Sequence, residues 1–194
     1  EFSELLLGYA NVMLDTPFRP EMEKKLNPLI YRSLEAQRKS FSPAVIEESR
    51  KENTLVTAYS KLMSEMKFVF EGKELPLTVL RGKLEDADRN VRRAAAFAIG
   101  EGLKNNAAEL DRLYDELVKI RTEIARKMGY RDFVELGYYR MGRISYNREM
   151  VEKFRENVAR DLVPVVSKIK RSVAEKLGID RVMFYDDAIY TPGE

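Results

Sequence analysis

One helical period runs almost unbroken through the middle of the chain. Placed at about 100° per residue, Leu110, Leu113, Tyr114, Leu117, Ile120, Ile124 and Met128 fall on one face of residues 107–128, and Gly129 follows where a helix-ending glycine belongs. A second stripe, Val151, Phe154, Val158, Leu162, Val165, Ile169 and Val173, runs from a capping Asn147 to Gly178. Pro164 lies inside it, roughly opposite the apolar line, so a bend is expected there and not an end. With only ten Gly and seven Pro in 194 residues, little interrupts such patterns, and helices should dominate.

The remaining punctuation divides the chain further. Residues 1–15 open inside an apolar helical pattern (Phe2, Leu5, Leu6, Tyr9, Met13) that Thr16-Pro17-Phe18-Arg19-Pro20 breaks. A second helical stretch covers about 21–40, and Ser42-Pro43 offers an N-cap and an N1 proline for a third that runs to about Met66. Lys67 to Leu77 is the departure: Phe68 and Phe70 alternate before Glu71-Gly72-Lys73, and Pro76 suits only an edge, which together read as a small β-hairpin. Helix resumes at Thr78, Asp86 or Asp88 caps the next segment, and Asp132 with Glu135 makes a capping-box-like start for a short helix ending at Gly142. The expectation is an all-α, multi-helix fold read as a single domain over 1–194. It has N-terminal helices at 1–66, a hairpin at 67–77, long helices at 78–178 and a turn- or strand-like connection at 179–194. Both ends stop inside unfinished patterns, as in a segment of a larger fold.

Composition narrows the chemistry. The chain has no His and no Cys, which excludes a thiolate nucleophile, a Ser-His dyad, an iron–sulfur cluster and the usual zinc site. Carboxylate, Lys, Tyr or Ser chemistry remains. Basic and acidic residues nearly balance, 34 against 32, and the densest basic stretch, Lys168, Lys170, Arg171 and Lys176, is interrupted by Glu175 and carries no interleaved aromatic residues. It reads as a solvated helix face, and no nucleic-acid partner is expected. No apolar run approaches the roughly 18 residues of a membrane-spanning helix, and the N-terminus lacks the pattern of a signal peptide, so a cytoplasmic location is expected.

Several side chains invite a functional reading beside a structural one. Arg121 sits within the apolar stripe, and Arg140 lies close to the direction of Phe133 on the short helix. A salt bridge to a carboxylate on a neighbouring helix is the favoured reading for both, with capture of a substrate carboxylate as the alternative. Tyr138, Tyr139 and Tyr146 with Arg140 and Arg143, in GYYRMGRISYN, form a cluster of the kind that lines a peptide or anion groove, although packing aromatics explain such tyrosines equally well. Asp186 and Asp187 fit a turn or cap better than a metal site. LEDADRNVRRAAAFAIGEGLK resembles one HEAT repeat, which leaves a non-enzymatic protein-interaction scaffold as the second reading, but no second copy follows.

The text YDELVKIRTEIARKMGYRDFVELGYYRMGRISYN, residues 114–147, resembles the oligoendopeptidase F group of zinc metallopeptidases, relatives of thimet oligopeptidase. DADRNVRRAAAFAIGEGLKNNAAELD before it and EMVEKFRENVARDLVP after it are similar to the same family. The hairpin and the tail VMFYDDAIYTPG follow the family order, so the resemblance covers at least residues 42–193. The family's His-Glu-x-x-His motif is absent, so no catalytic residue and no metal ligand carries over. What the resemblance implies is that these residues form the helical part preceding the zinc motif of a peptidase acting on short unstructured oligopeptides. In that parent, zinc would be the cofactor, and this segment would supply one wall of the substrate channel.

Overall fold

The computed structural model describes residues 2–189. Its elements in chain order are α1 (Phe2–Asp15), α2 (Arg19–Lys25), α3 (Pro28–Ser40), α4 (Ile46–Glu65), β1 (Lys67–Phe70), β2 (Lys73–Pro76), α5 (Leu77–Lys83), α6 (Arg89–Asn105), α7 (Ala107–Lys127), α8 (Phe133–Arg140), α9 (Arg148–Asn157) and α10 (Val163–Leu177). The all-α fold with one small hairpin is therefore as the sequence leads one to expect. The stretch expected as one helix over 21–40 is two, α2 and α3. Asn27 accepts a hydrogen bond from the Leu29 amide and Pro28 takes the first helical position, so a new helix starts there. Residues 179–189 contain a single 3₁₀ turn, Phe184–Asp186, and no strand; the end of that segment, 190–194, lies outside the described residues.

Two units divide these elements, one comprising residues up to Val56 with Tyr114–Glu152, the other Thr57–Leu113 with the residues from Lys153 onward. In the first, α1 packs on α3 through Ala10, Leu14, Tyr31 and Leu34. The face of α1 marked by Phe2, Leu5 and Tyr9 in the sequence pattern points outward, with Phe2 73% exposed. Small Ala10 is what permits the close approach on the other side. A second core gathers Val45, Ile120, Ile124, Ala125 and Leu136. Of the α7 stripe, Leu113, Ile120 and Ile124 are buried while Tyr114 is exposed, so the buried line is narrower than the seven-residue pattern implies.

An acid pair docks α4 against this core. The buried residues of α4 are both glutamates, Glu48 and Glu52, one turn apart. Glu48 accepts from Lys127 Nζ at 2.6 Å, and Glu52 accepts from Arg121 Nε and Arg140 Nη1, each at 2.7 Å. Both guanidinium groups also lie over the Phe133 ring, 5.6 Å from its centroid. Of the two readings of Arg121 and Arg140, the structure shows the salt bridge to a neighbouring helix. Burial opposes ionisation of Glu52, but the hydrogen bonds from Arg121 and Arg140 outweigh it and hold the carboxyl below the usual range.

The second unit is built around the hairpin. Its two loop residues, Glu71 and Gly72, have φ of 50° and 75°, as a tight two-residue turn requires. The register pairs Phe68 with Leu75 and Phe70 with Lys73. Alternation sends Phe68 and Phe70 inward onto Leu80 and Ala95 of α5 and α6, and Val69 outward. At the far end of the unit, Asp186 is fully buried. It accepts from Arg92 Nη2 at 2.9 Å, from Arg89 Nη2 at 3.0 Å and from the Met183 amide at 3.0 Å. Arg92, itself buried, donates its other hydrogen bonds to the carbonyls of Asp86, Ala87 and Tyr185, so neither charge is left unpaired. Asp186 thus caps a turn, as expected, and also anchors the C-terminal segment to the start of α6. Gly129, Gly142 and Gly178 end their helices where the sequence places those ends.

Two glycines of α6 should respond to alanine with opposite signs. A Cβ on Gly102 would clash with the ring of Phe68, which is wholly buried. Gly102→Ala should cost about 1–3 kcal/mol through overpacking. Gly100 faces open space, and Gly100→Ala should instead stabilise by about 0.5–1 kcal/mol through helix propensity. Urea denaturation of both variants checks this, and equal shifts would refute the close approach of Phe68.

Glu52 makes a second prediction. Its pKa is lowered in the folded state, so its contribution is fully present above the unfolded value of about 4.3 and is lost as pH falls through the lower folded value. Glu52→Gln should cost about 1–3 kcal/mol at pH 7, because two arginines lose their charge partner. The same variant should lose less stability than the parent chain on acidification below about pH 4.5. Denaturation midpoints at neutral and acid pH report both effects.

Candidate functional site

The short helix α8 ends in a turn that folds its own sequel back upon it. Asp132 starts the helix by accepting from the Val134 amide at 2.9 Å. That bond first, and then Arg131, keeps the Asp132 carboxyl below its ordinary pKa. At the other end the Gly142 amide donates to the Tyr139 carbonyl at 2.9 Å and the Arg143 amide to the Tyr138 carbonyl at 3.0 Å. This is the paired bonding of a Schellman stop, and it needs Gly142 at φ 63°, a conformation in which a side chain is strained.

The consequence is a stack. Arg143 returns over the helix so that its guanidinium carbon sits 4.6 Å from the centroid of the Tyr138 ring and 5.5 Å from that of Tyr146. The two rings meet edge to face with centroids 6.4 Å apart. Asn147 then caps α9 through the Met150 amide at 3.0 Å, which turns the chain away and leaves a cleft of about 540 Å³ between the start of α8 and the start of α9. Tyr138, Tyr139, Arg143 and Tyr146 all line it, together with Asp132 and Arg148.

Four of the five residues singled out from sequence therefore come together, and Arg140 does not. It leaves the opposite side of α8 to reach Glu52. Tyr139 is held from outside the motif: its hydroxyl donates to Glu135 at 3.1 Å, Lys39 lies over its ring at 5.1 Å, and the Tyr130 ring stands 6.0 Å away. Burial first, then the charges near it, pushes the Tyr130 hydroxyl above its ordinary pKa while it donates to the Lys39 carbonyl at 2.8 Å. Sequence reasoning missed Lys39 because its contacts with Tyr130 and Tyr139 span ninety residues of chain or more, which no local pattern records, and Tyr130 because it joins the cluster only through the fold. Asp132 and Asn147, legible in the sequence as caps, also line the cleft.

The cleft can hold an apolar or aromatic group against its tyrosines and an anion against Arg143. Among the described residues there is no group of three or more His, Cys, Asp or Glu side chains that could hold a metal ion. No helix among them is long and apolar enough to cross a membrane.

Comparison with known proteins places this arrangement in a family. The chain is similar over 98% of its length to three solved structures: one described as an oligoendopeptidase F from Bacillus anthracis str. Ames (35% identity, TM-score 0.87), another described as an oligoendopeptidase F (37%, 0.90) and PZ peptidase A with an inhibitor (37%, 0.89). It spans about a third of the length of each, covering 35%, 34% and 34% of those chains respectively. No curated protein matches it. The profile of peptidase family M3 matches residues 83–193, more than half of the chain, and takes in α6 to α10 and the whole cleft. The resemblance in residues 114–147 and the helical fold agree with that match, and the chain belongs to peptidase family M3.

Proposed function

We propose that this chain is the helical, channel-wall portion of a zinc-dependent endopeptidase that hydrolyses short, unstructured oligopeptides. The observation that carries the reading is the family match over residues 83–193, together with the likeness to oligoendopeptidase F structures about three times as long. The residues present do not fit zinc. The chain has no His or Cys, and among the described residues no group of three or more carboxylates is placed to hold a metal, the buried ones being taken up by ion pairs such as Glu52 with Arg121 and Asp186 with Arg92. The metal and the reacting groups accordingly belong to the remainder of the longer protein. What these residues supply is shape and recognition: an aromatic cleft with Arg143 stacked on its tyrosines, on a short helix locked to its neighbours by Glu52. We place the protein in the cytoplasm.

A quenched-fluorescent peptide tests the proposal. The longer protein should hydrolyse it and lose that activity on treatment with a strong zinc chelator. The 194-residue chain should do neither of these things, nor retain zinc through dialysis. Chelator-sensitive hydrolysis by the short chain would relocate the chemistry into it, and a longer protein that bound no zinc would remove the peptidase reading.

A further inference from the structure

Most charges around the cleft are already matched. Arg131 pairs with Asp132 at 3.1 Å, and Arg148 with Glu152 at 2.8 Å. Asp132 is spent on the α8 cap and Glu135 receives the Tyr139 hydroxyl. Glu149, the remaining acid of the lining, lies in the first turn of α9, where the helix terminus favours its charge. Arg143 is different. It is half-buried, and among the described residues no hydrogen bond or ion pair reaches its guanidinium. Its neighbours are the faces of two aromatic rings.

Ring faces engage a guanidinium through its π surface and leave the N–H donors around its edge free. A carboxylate is the planar, bidentate acceptor that such an edge matches. We infer that Arg143, bracketed by Tyr138 and Tyr146, is the receptor for a peptide carboxylate in the 540 Å³ cleft. The inference rests on the peptide-substrate reading and names the chemistry of this site within it. The Schellman stop at Gly142 presets the receptor, since it fixes the arginine over Tyr138 before any ligand arrives and reduces the ordering cost on binding. The carboxylate could be a chain terminus or an Asp or Glu side chain, and the two are separable by experiment.

The test uses the 194-residue chain and three capped tripeptides followed by two-dimensional NMR: acetyl-Ala-Ala-Ala with a free terminus, acetyl-Ala-Glu-Ala-amide and acetyl-Ala-Ala-Ala-amide. The first, the second or both should bind about tenfold or more tightly than the uncharged amide, with shifts centred on 138–149. Whichever binds identifies the source of the carboxylate. Arg143→Gln should abolish the preference with the helical circular dichroism unchanged, and Arg143→Lys should restore it only in part, because an ammonium keeps charge without the planar fork. Equal binding of acids and amide, a preference that survives Arg143→Gln, or a lysine variant as good as arginine would each overturn the assignment. If that happens while the longer protein still cleaves peptides in a chelator-sensitive way, the peptidase reading stands without this site. Carboxylate binding beside an inactive longer protein would instead remove the peptidase reading and leave the receptor.

Discussion

A single carboxylate sets the geometry on which the candidate site depends. Glu52 enters the first unit from α4 and takes one arginine from α7 and one from α8, so that three helices meet on its two oxygens. Phe133, the first residue of α8, is held beneath the same two guanidinium groups. The charges need one another because Glu52 is buried, and the ring face lies against both guanidinium groups. With α8 fixed in this way at its start and by Arg140 at its end, the direction in which the chain leaves the helix is determined. That direction carries Arg143 back over Tyr138. The aromatic cleft on one face of α8 is thus supported by an ion network on the other.

The second unit solves a related problem with the same ratio of charges. Asp186 is one buried acid between two arginines, and Arg92 spends its other donors on backbone carbonyls. Burial opposes ionisation of this carboxyl, while Arg89, the Met183 amide and Arg92 together hold it below its ordinary value. In both units an acid with two basic partners replaces apolar packing where a helix must meet an irregular or crossing segment. Such networks cost more desolvation than a hydrocarbon contact would, and they specify orientation in return.

Local signals made most of the fold legible. Caps at Ser42, Asp88, Asp132 and Asn147, the helix-ending glycines, and the alternation of Phe68 and Phe70 are each properties of a few consecutive residues, and each marks the feature expected of it. The break at Asn27-Pro28 is equally local, an N-cap and an N1 proline set inside a stretch that is otherwise helical in pattern. What periodicity could not convey is which of two apolar faces is covered. On α1 the bulky face is exposed and the Ala10 face buried, since that choice belongs to α3. The same holds for the site: GYYRMGRISYN marks the tyrosines and arginines, but only the position of Glu52, far away in sequence, separates Arg140 from Arg143.

The helix that begins at Arg148 carries one feature whose effect extends along its whole surface. Pro164 has no amide hydrogen and cannot continue the α-helical ladder, and the preceding residues Val158–Leu162 widen into a π turn in which the Val163 amide donates to the Val158 carbonyl. A π turn inserts one residue, so everything beyond it is rotated by about 100° relative to an unbroken helix. The sequence stripe from Phe154 through Leu162 to Val165 and Ile169 is therefore two lines with a phase slip between them. Val163 and Val166 are brought into line with Phe154 and Val158, while Val165 and Ile169 are carried to one side of that line. All of these except Val158 are exposed, from 39% at Val166 to 66% at Phe154. What would have been one narrow ridge is instead spread over about half the circumference of the helix, so no single line of contacts could cover it.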